Sequence, residues 1–206
     1  YIEVVRGPAS SIYGHNSMGG VINIVTRSGD GLSQFSPEVR FGSFGSGSLS
    51  LAYAGGNEKT NLVSSLGYAN SNGHRFNSGY EQTRFSLKIN RLLPRDQRIQ
   101  FSYLVCNSFN GQPGFVYPDN PGLISYRESY RLSNYLQMYY KRIINQYLIS
   151  FSLATNHFET DYRDRDDTPI DEFRDKTEYR DRSYMARVQV QRFFKDGNNI
   201  IIGSEI

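Results

Sequence analysis

The chain has 206 residues, with 23 Lys or Arg and 20 Asp or Glu, which gives a formal net charge of +3. Because acids and bases nearly balance and no basic block occurs, nothing in the sequence points to a nucleic-acid-binding protein. No apolar run approaches the roughly 20 residues that a transmembrane helix needs, so a helical membrane protein is excluded. The 16 Tyr, 13 Phe and 19 Gly, with no Trp, indicate an all-β protein with many turns.

The first 27 residues carry the most specific pattern in the chain. Two β-prone runs, at residues 2–5 and 21–26, flank a segment that is rich in turn residues. Residues 9–13 are enough for about one helical turn after the proline, which donates no ladder hydrogen bond and stops the first strand. The turn residues are Gly7, Pro8, Gly14, Gly19 and Gly20.

Four motifs in this segment resemble a known family when they are taken in order. They are Arg-Gly-Pro at 6–8, Ile-Tyr-Gly at 12–14, Gly-Gly at 19–20 and Val-Ile-Asn-Ile at 21–24. Together they resemble the C-terminal end of the plug domain of TonB-dependent outer-membrane receptors, where it leads into the first strand of the barrel. The resemblance implies that the chain is a fragment, with the end of a plug at 1–27, a linker at 28–37 and an incomplete N-terminal part of a barrel at 38–206.

The resemblance also implies roles for the residues of these motifs. In such receptors a plug arginine at the position of Arg6 commonly pairs with carboxylates of later barrel strands. We therefore expect a structural role, joining plug to barrel, for Arg6, Gly7, Pro8, Gly14, Gly19 and Gly20.

From residue 38 onward the sequence alternates between apolar and polar residues, which is typical of β-strands. The clearest case is Phe85, Leu87 and Ile89, which alternate with polar residues. We predict about nine antiparallel strands joined in sequence, as in an up-and-down transmembrane β-barrel of larger size. Short turns near 55–60, 94–97, 145 and 195–199 alternate with mostly longer connections, and this asymmetry is typical of outer-membrane barrels. The longer connections are predicted at 70–80, 109–129 and 161–182.

Six tyrosines near predicted strand ends are candidates for the aromatic girdles that line membrane interfaces. They are Tyr53, Tyr68, Tyr103, Tyr140, Tyr147 and Tyr184.

The two longest connections contain the candidate binding residues. Aromatic and cationic side chains in 109–129 suit contact with an incoming ligand, and these are Phe115, Tyr117, Tyr126 and Arg127. In 161–182 the clustered carboxylates Asp164, Asp166 and Asp167 are calcium candidates, but their spacing lacks the glycine and terminal glutamate of an EF-hand loop. The interspersed arginines favour a solvated, self-neutralising loop instead.

The resemblance implies a transporter of the outer membrane of a Gram-negative bacterium. It would import an iron–siderophore complex or cobalamin, in outer-membrane lipid, using energy from the TonB complex of the inner membrane. No cofactor, no metal site and no catalytic residue are expected, and the sequence contains no nucleophile elbow, phosphate-binding loop or cysteine pair. Alternation alone also fits a soluble β-sandwich, such as a binding or adhesin module.

Overall fold

A computed structural model describes residues 2–7, 19–24, 29, 31, 33–113, 127–164, 176–195 and 197–206. The described residues form two antiparallel sheets. The smaller sheet is a hairpin of β1 (Ile2–Arg6) and β2 (Gly20–Ile24). None of the described segments is a helix long and apolar enough to cross a bilayer.

The larger sheet has nine strands, and each pairs with its neighbours in the sequence. The order along the sheet is therefore the chain order, which confirms the predicted antiparallel, up-and-down arrangement within the described residues. The strands are β3 (Gln34–Gly42), β4 (Ser46–Gly56), β5 (Thr60–Ser71), β6 (Tyr80–Leu93), β7 (Gln97–Gln112), β8 (Arg127–Ile144), β9 (Tyr147–Arg163), β10 (Lys176–Phe193) and β11 (Asn199–Glu205).

The first strand of this sheet begins earlier than the sequence predicts. β3 starts at Gln34, so residues 34–37 of the predicted linker belong to the sheet. Pro37 is compatible with this strand because β3 is an edge of the described sheet. On the open side of an edge strand no neighbouring strand needs the backbone N–H that proline lacks.

The two long predicted connections are also shorter than expected, and the prediction of an irregular segment over the whole of 161–182 is wrong. β7 continues to Gln112 and β8 begins at Arg127, while β9 continues to Arg163 and β10 begins at Lys176. In 161–163 and 176–182 the face that continues the apolar band carries charged residues and the polar face carries Tyr162 and Tyr179, so the expected alternation is lost. The backbone ladder does not depend on that alternation. Cross-strand charge pairs accompany the ladder, as between Arg180 Nε and Glu159 Oε1 at 3.2 Å.

All the connections at one end of the sheet are short, whereas the other end has one short turn, at 43–45, and three longer connections. We call the end with only short connections the lower end, and it carries residues 57–59, 94–96, 145–146 and 194–198. The upper end carries the connections at 43–45, 72–79, 113–126 and 164–175. Tight turns at the lower end use left-handed backbone, with φ of 63° at Arg95, 54° at Asp96 and 53° at Asn145.

The strand register separates side chains into an apolar face and a polar face. The apolar face includes Leu51, Leu66, Phe85, Leu87, Ile89, Phe101, Leu136, Met138, Phe151, Leu153, Val188 and Val190. The polar face includes Glu38, Arg40, Ser65, Arg84, Ser86, Lys88, Gln100, Ser102, Gln137, Ser150, Ser152, Arg187 and Gln189.

The apolar face is open in the described structure. Met138 is 50% exposed, Val188 46% and Leu153 42%. A β-sandwich would cover such a face with a second sheet, but the only other sheet among the described residues is the two-stranded hairpin. The described strands therefore do not form a sandwich.

The apolar band crosses the sheet at a slant. Successive register partners link Phe35, the lowest apolar residue of β3, to Tyr184 of β10. Ile200, the lowest apolar residue of β11, pairs instead with Arg192, eight residues beyond Tyr184. Between β3 and β11 the edge thus descends by about one residue per strand. With a rise of ~3.3 Å per residue and a strand spacing of ~4.8 Å, the strands are tilted by about 35° from the perpendicular to this edge. Transmembrane barrels have tilts in this range.

All six predicted girdle tyrosines lie on the apolar face. Because the band is slanted, Tyr53, Tyr140 and Tyr147 fall near its lower edge and Tyr68 and Tyr184 near its upper edge. Tyr103 is the exception, since it lies midway up the band. Its hydroxyl is hydrogen-bonded at 3.3 Å to Oδ1 of Asn134 on the next strand, which satisfies the polar group there.

Candidate functional site

An open cavity of about 580 Å³ lies along the middle strands of the sheet. Ile24, at the end of β2, lines it together with residues of β5 to β8. Its polar-face lining includes Ser86, Lys88, Gln100, Ser102 and Gln137. Ile24 is the one described hairpin residue that lines this cavity, and its side chain is still 65% exposed.

The polar face is ordered by side-chain hydrogen bonds between strands. Ser65 Oγ and Ser86 Oγ are 2.7 Å apart, and Gln137 Nε2 donates to Ser152 Oγ at 3.4 Å. Near the upper end, Arg40 Nε donates to Glu38 Oε1 at 2.6 Å, beside a second cavity of about 240 Å³ that Arg84 also lines. This face thus combines polarity and charge with the space that an enclosed hydrated region requires.

The backbone geometry of the hairpin explains two of its three described glycines. Gly20 has a φ of +134°, and a Cβ there would lie 2.7 Å from the carbonyl oxygen of Val5. Gly7 has a φ of +96°, a conformation that other residues rarely adopt. Gly19, in contrast, has no heavy atom within 4 Å of an added Cβ.

The other predicted hairpin residues are only partly placed. Pro8 and Gly14 lie outside the described residues. Arg6 is exposed on β1 opposite Gly20 and forms no ion pair with another described residue. Its pairing with barrel carboxylates stays a prediction.

At the upper end of the polar face, two of the predicted binding residues come together. Arg127 Nε is 2.7 Å from Asp164 Oδ2, and the two side chains are 64% and 18% exposed. Asn77 Nδ2 donates to the carbonyl oxygens of Arg127 at 2.7 Å and Gln112 at 3.3 Å. These contacts tie the connection at 72–79 to the strand ends that flank the next two connections.

The remaining predicted binding residues, Phe115, Tyr117, Tyr126, Asp166 and Asp167, lie outside the described residues. Asp164 is engaged by Arg127, which competes with any cation for its carboxylate. The described part of the chain contains no group of three or more His, Cys, Asp or Glu placed to hold a metal ion.

The structure adds an aromatic and cationic set that the sequence did not single out. The Arg131 guanidinium carbon lies 5.4 Å from the centroid of the Phe158 ring, and Tyr162 and Tyr179 meet edge to face at 6.4 Å. All four lie on the polar face towards the upper end. The available signal was the presence of large aromatic residues at polar-face positions, where the alternation predicts small polar ones.

No protein-family model and no curated protein matches the chain. Among solved structures, the chain is similar to the open form of the ferric-catecholate import receptor Fiu from E. coli K12, with a TM-score of 0.68 and 14% sequence identity. The similarity covers 99% of this chain and 38% of that receptor, so the chain spans less than two-fifths of its length. At this identity the similarity shows the fold, which is that of a β-barrel segment of an outer-membrane receptor.

Proposed function

We propose that this chain is the plug-to-barrel junction of a TonB-dependent outer-membrane receptor of a Gram-negative bacterium. The observation that carries the proposal is the nine-stranded up-and-down sheet, with an open apolar band on one face and a polar face on the other, whose central cavity is also lined by Ile24 of the hairpin. A plug inside a barrel would need this arrangement, because lipid meets one face and the plug meets the other. The motifs of residues 6–24 and the receptor-like fold give independent support.

The domain boundaries follow from this proposal. The plug would end near residue 27, and the barrel would begin at Gln34. The lower end, with its short turns, would face the periplasm, and the upper end would face the outside, as in bacterial barrels.

The cargo that we favour is an anionic iron chelate with aromatic groups, in preference to cobalamin. Arg127 and Arg131 present cations at the upper end, and Phe158, Tyr162 and Tyr179 present ring faces and edges beside them. Guanidinium and aromatic groups together suit negatively charged catechol rings through charge pairing and stacking. The TonB complex would supply the energy, and this chain's residues would perform no covalent chemistry.

Uptake tests the proposal directly. The full-length protein that contains this chain would be expressed in E. coli cells that lack their own catecholate receptors, with and without TonB. We expect TonB-dependent accumulation of radioactive iron supplied as a ferric catecholate, and no uptake of labelled cobalamin. TonB-dependent uptake of cobalamin alone would overturn the cargo assignment, and no TonB-dependent uptake of either would overturn the transport function.

The membrane assignment has a separate test that needs no cargo. A spin label at position 87, in a Cys106→Ser background of the full-length protein in bilayers, reports which solvent surrounds the apolar face. We expect high accessibility to oxygen and low accessibility to a water-soluble nickel complex. Low accessibility to both reagents would mean a packed protein interior and would contradict the barrel.

A further inference from the structure

Three arginines lie towards the lower end of the apolar face. Arg91, Arg142 and Arg192 lie on the apolar face of β6, β8 and β10, each between an apolar or aromatic residue two positions above and another two positions below in the sequence. The residues above are Ile89, Tyr140 and Val190, and the residues below are Leu93, Ile144 and Phe194. We call the three residues the arginine row.

The arginine row is parallel to the slanted edge of the band. Arg91 is level with Ile99 and Tyr140, and Arg142 lies two residues further down β8. Arg142 is in turn level with Ile149 and Val190, and Arg192 lies two residues further down β10. The descent is one residue per strand, as for the band itself. Neighbouring members of the row are therefore about 12 Å apart along a constant depth.

The row lacks acidic partners within the described residues. None of its three members forms an ion pair there. Arg142 Nε is buried without a hydrogen-bond partner. The Arg192 guanidinium carbon lies 4.8 Å from the Phe194 ring centroid and 5.7 Å from that of Tyr147, and aromatic rings leave its N–H donors available to an anion.

The charged residues of the lower turns balance, with Lys59, Arg95 and Lys195 against Glu58, Asp96 and Asp196. The three guanidinium groups of the row, and not the net charge of these turns, are therefore what would attract an anion. A guanidinium binds a phosphate with two parallel N–H donors, a geometry that a lysine ammonium lacks.

We propose that the arginine row binds the phosphate groups of anionic glycerophospholipids, such as phosphatidylglycerol, in the leaflet that surrounds the lower end. This inference rests on the proposed function, because it requires the apolar face to meet a bilayer. On a face that meets lipid, guanidinium groups without acidic partners need anions from the bilayer, and the lipid phosphates near the lower end are the anions within reach of long arginine side chains. Anionic lipid is preferred over zwitterionic lipid, because no headgroup ammonium competes with the guanidinium for the phosphate.

The test measures lipid selectivity of the full-length protein in phosphatidylcholine vesicles. Spin-labelled phosphatidylglycerol and spin-labelled phosphatidylcholine are compared by the fraction of each that is immobilised at the protein surface. Arg142→Gln with Arg192→Gln should lower the preference for phosphatidylglycerol by about twofold or more. Arg142→Lys with Arg192→Lys keeps the charge but loses the paired donors, so it should lower the preference by less than the glutamine variant does.

The matched control removes the same charge from the other face. Arg98 and Lys141 are register partners on the polar face at the same end of the sheet. Arg98→Gln with Lys141→Gln should leave the preference unchanged. An equal loss in both double variants, or no loss in the first, would overturn the arginine row. A loss of spin-labelled lipid A binding in Arg142→Gln with Arg192→Gln, in place of a loss of phosphatidylglycerol binding, would also overturn the proposal. The phosphates would then belong to the glycolipid of the outer leaflet.

The spin label at position 87 separates this inference from the proposed function. If that label is accessible to oxygen and the preference for phosphatidylglycerol is unchanged in Arg142→Gln with Arg192→Gln, only the proposal for the arginine row is rejected. If the label is inaccessible to both reagents, the barrel assignment fails and the row fails with it.

Discussion

Arg127 and Asp164 form an ion pair, with 2.7 Å between Nε and Oδ2, where β8 begins and just after β9 ends. The pair joins the C-terminal end of the connection at 113–126 to the N-terminal end of the connection at 164–175. The sequence predicted two separate roles, ligand contact for Arg127 and calcium binding for Asp164. In the structure the two side chains bind each other. Any ligand that reaches this end of the polar face meets a paired arginine.

The strength of this pair is the first prediction. Because Arg127 is largely exposed, a double-mutant cycle with Arg127→Ala and Asp164→Ala should give a coupling free energy of about 0.2 to 1 kcal/mol, falling as salt rises. Urea unfolding of the full-length protein in lipid vesicles measures it. The control cycle combines Arg127→Ala with Glu205→Ala, whose partner is Arg187, and should show coupling near zero. Equal coupling in both cycles would mean that the ion pair contributes nothing specific.

The second prediction concerns the two faces of β10. Val188 lies on the apolar face within the band, and Gln189 lies next to it on the polar face. Val188→Arg should destabilise the folded barrel in bilayers by about 2 to 4 kcal/mol, because lipid does not solvate the charge. Gln189→Arg should cost much less, since Arg187 already occupies that face. Folding titrations in vesicles compare the two, and similar losses would argue against a lipid-facing band.

The hairpin glycines give the third prediction. Gly20→Ala introduces a Cβ at 2.7 Å from the Val5 carbonyl oxygen and requires an unfavourable φ, so it should disrupt the β1–β2 pairing. A residue held in a sparsely populated backbone region costs about 1 to 3 kcal/mol. Gly19→Ala is the control, because nothing lies within 4 Å of its added Cβ. Limited proteolysis of the full-length protein should release fragments from this segment faster in the Gly20 variant only.

The fourth prediction is the orientation of the sheet in the membrane. Cysteines introduced at Arg75, in the 72–79 connection, and at Glu58 and Lys195, in lower turns, provide three exposed reporters in a Cys106→Ser background. An impermeant maleimide added to intact cells should label position 75 and leave positions 58 and 195 unreacted until the outer membrane is opened. Labelling of the lower turns in intact cells would reverse the topology.

The sequence by itself determined the element type and the two faces. Phe85, Leu87 and Ile89 predict one face of a strand because successive side chains of an extended backbone point in opposite directions, and this rule depends on nothing beyond the strand. Glycine and proline likewise marked most turns, through local backbone preferences. The motifs of residues 6–24 added the family resemblance, which the similarity to a receptor fold supports in part.

Register, tilt and strand length were decided only by the tertiary structure. β9 and β10 continue through Asp161 and Arg180 because neighbouring strands supply hydrogen bonds whatever the side chains are. Charged residues on the face that continues the apolar band concealed these two strand ends in the sequence. The pairing of Arg127 with Asp164 and the alignment of Arg91, Arg142 and Arg192 join residues that are far apart in sequence. A local pattern cannot specify such relationships, because they depend on the residue at which each strand is paired with the next.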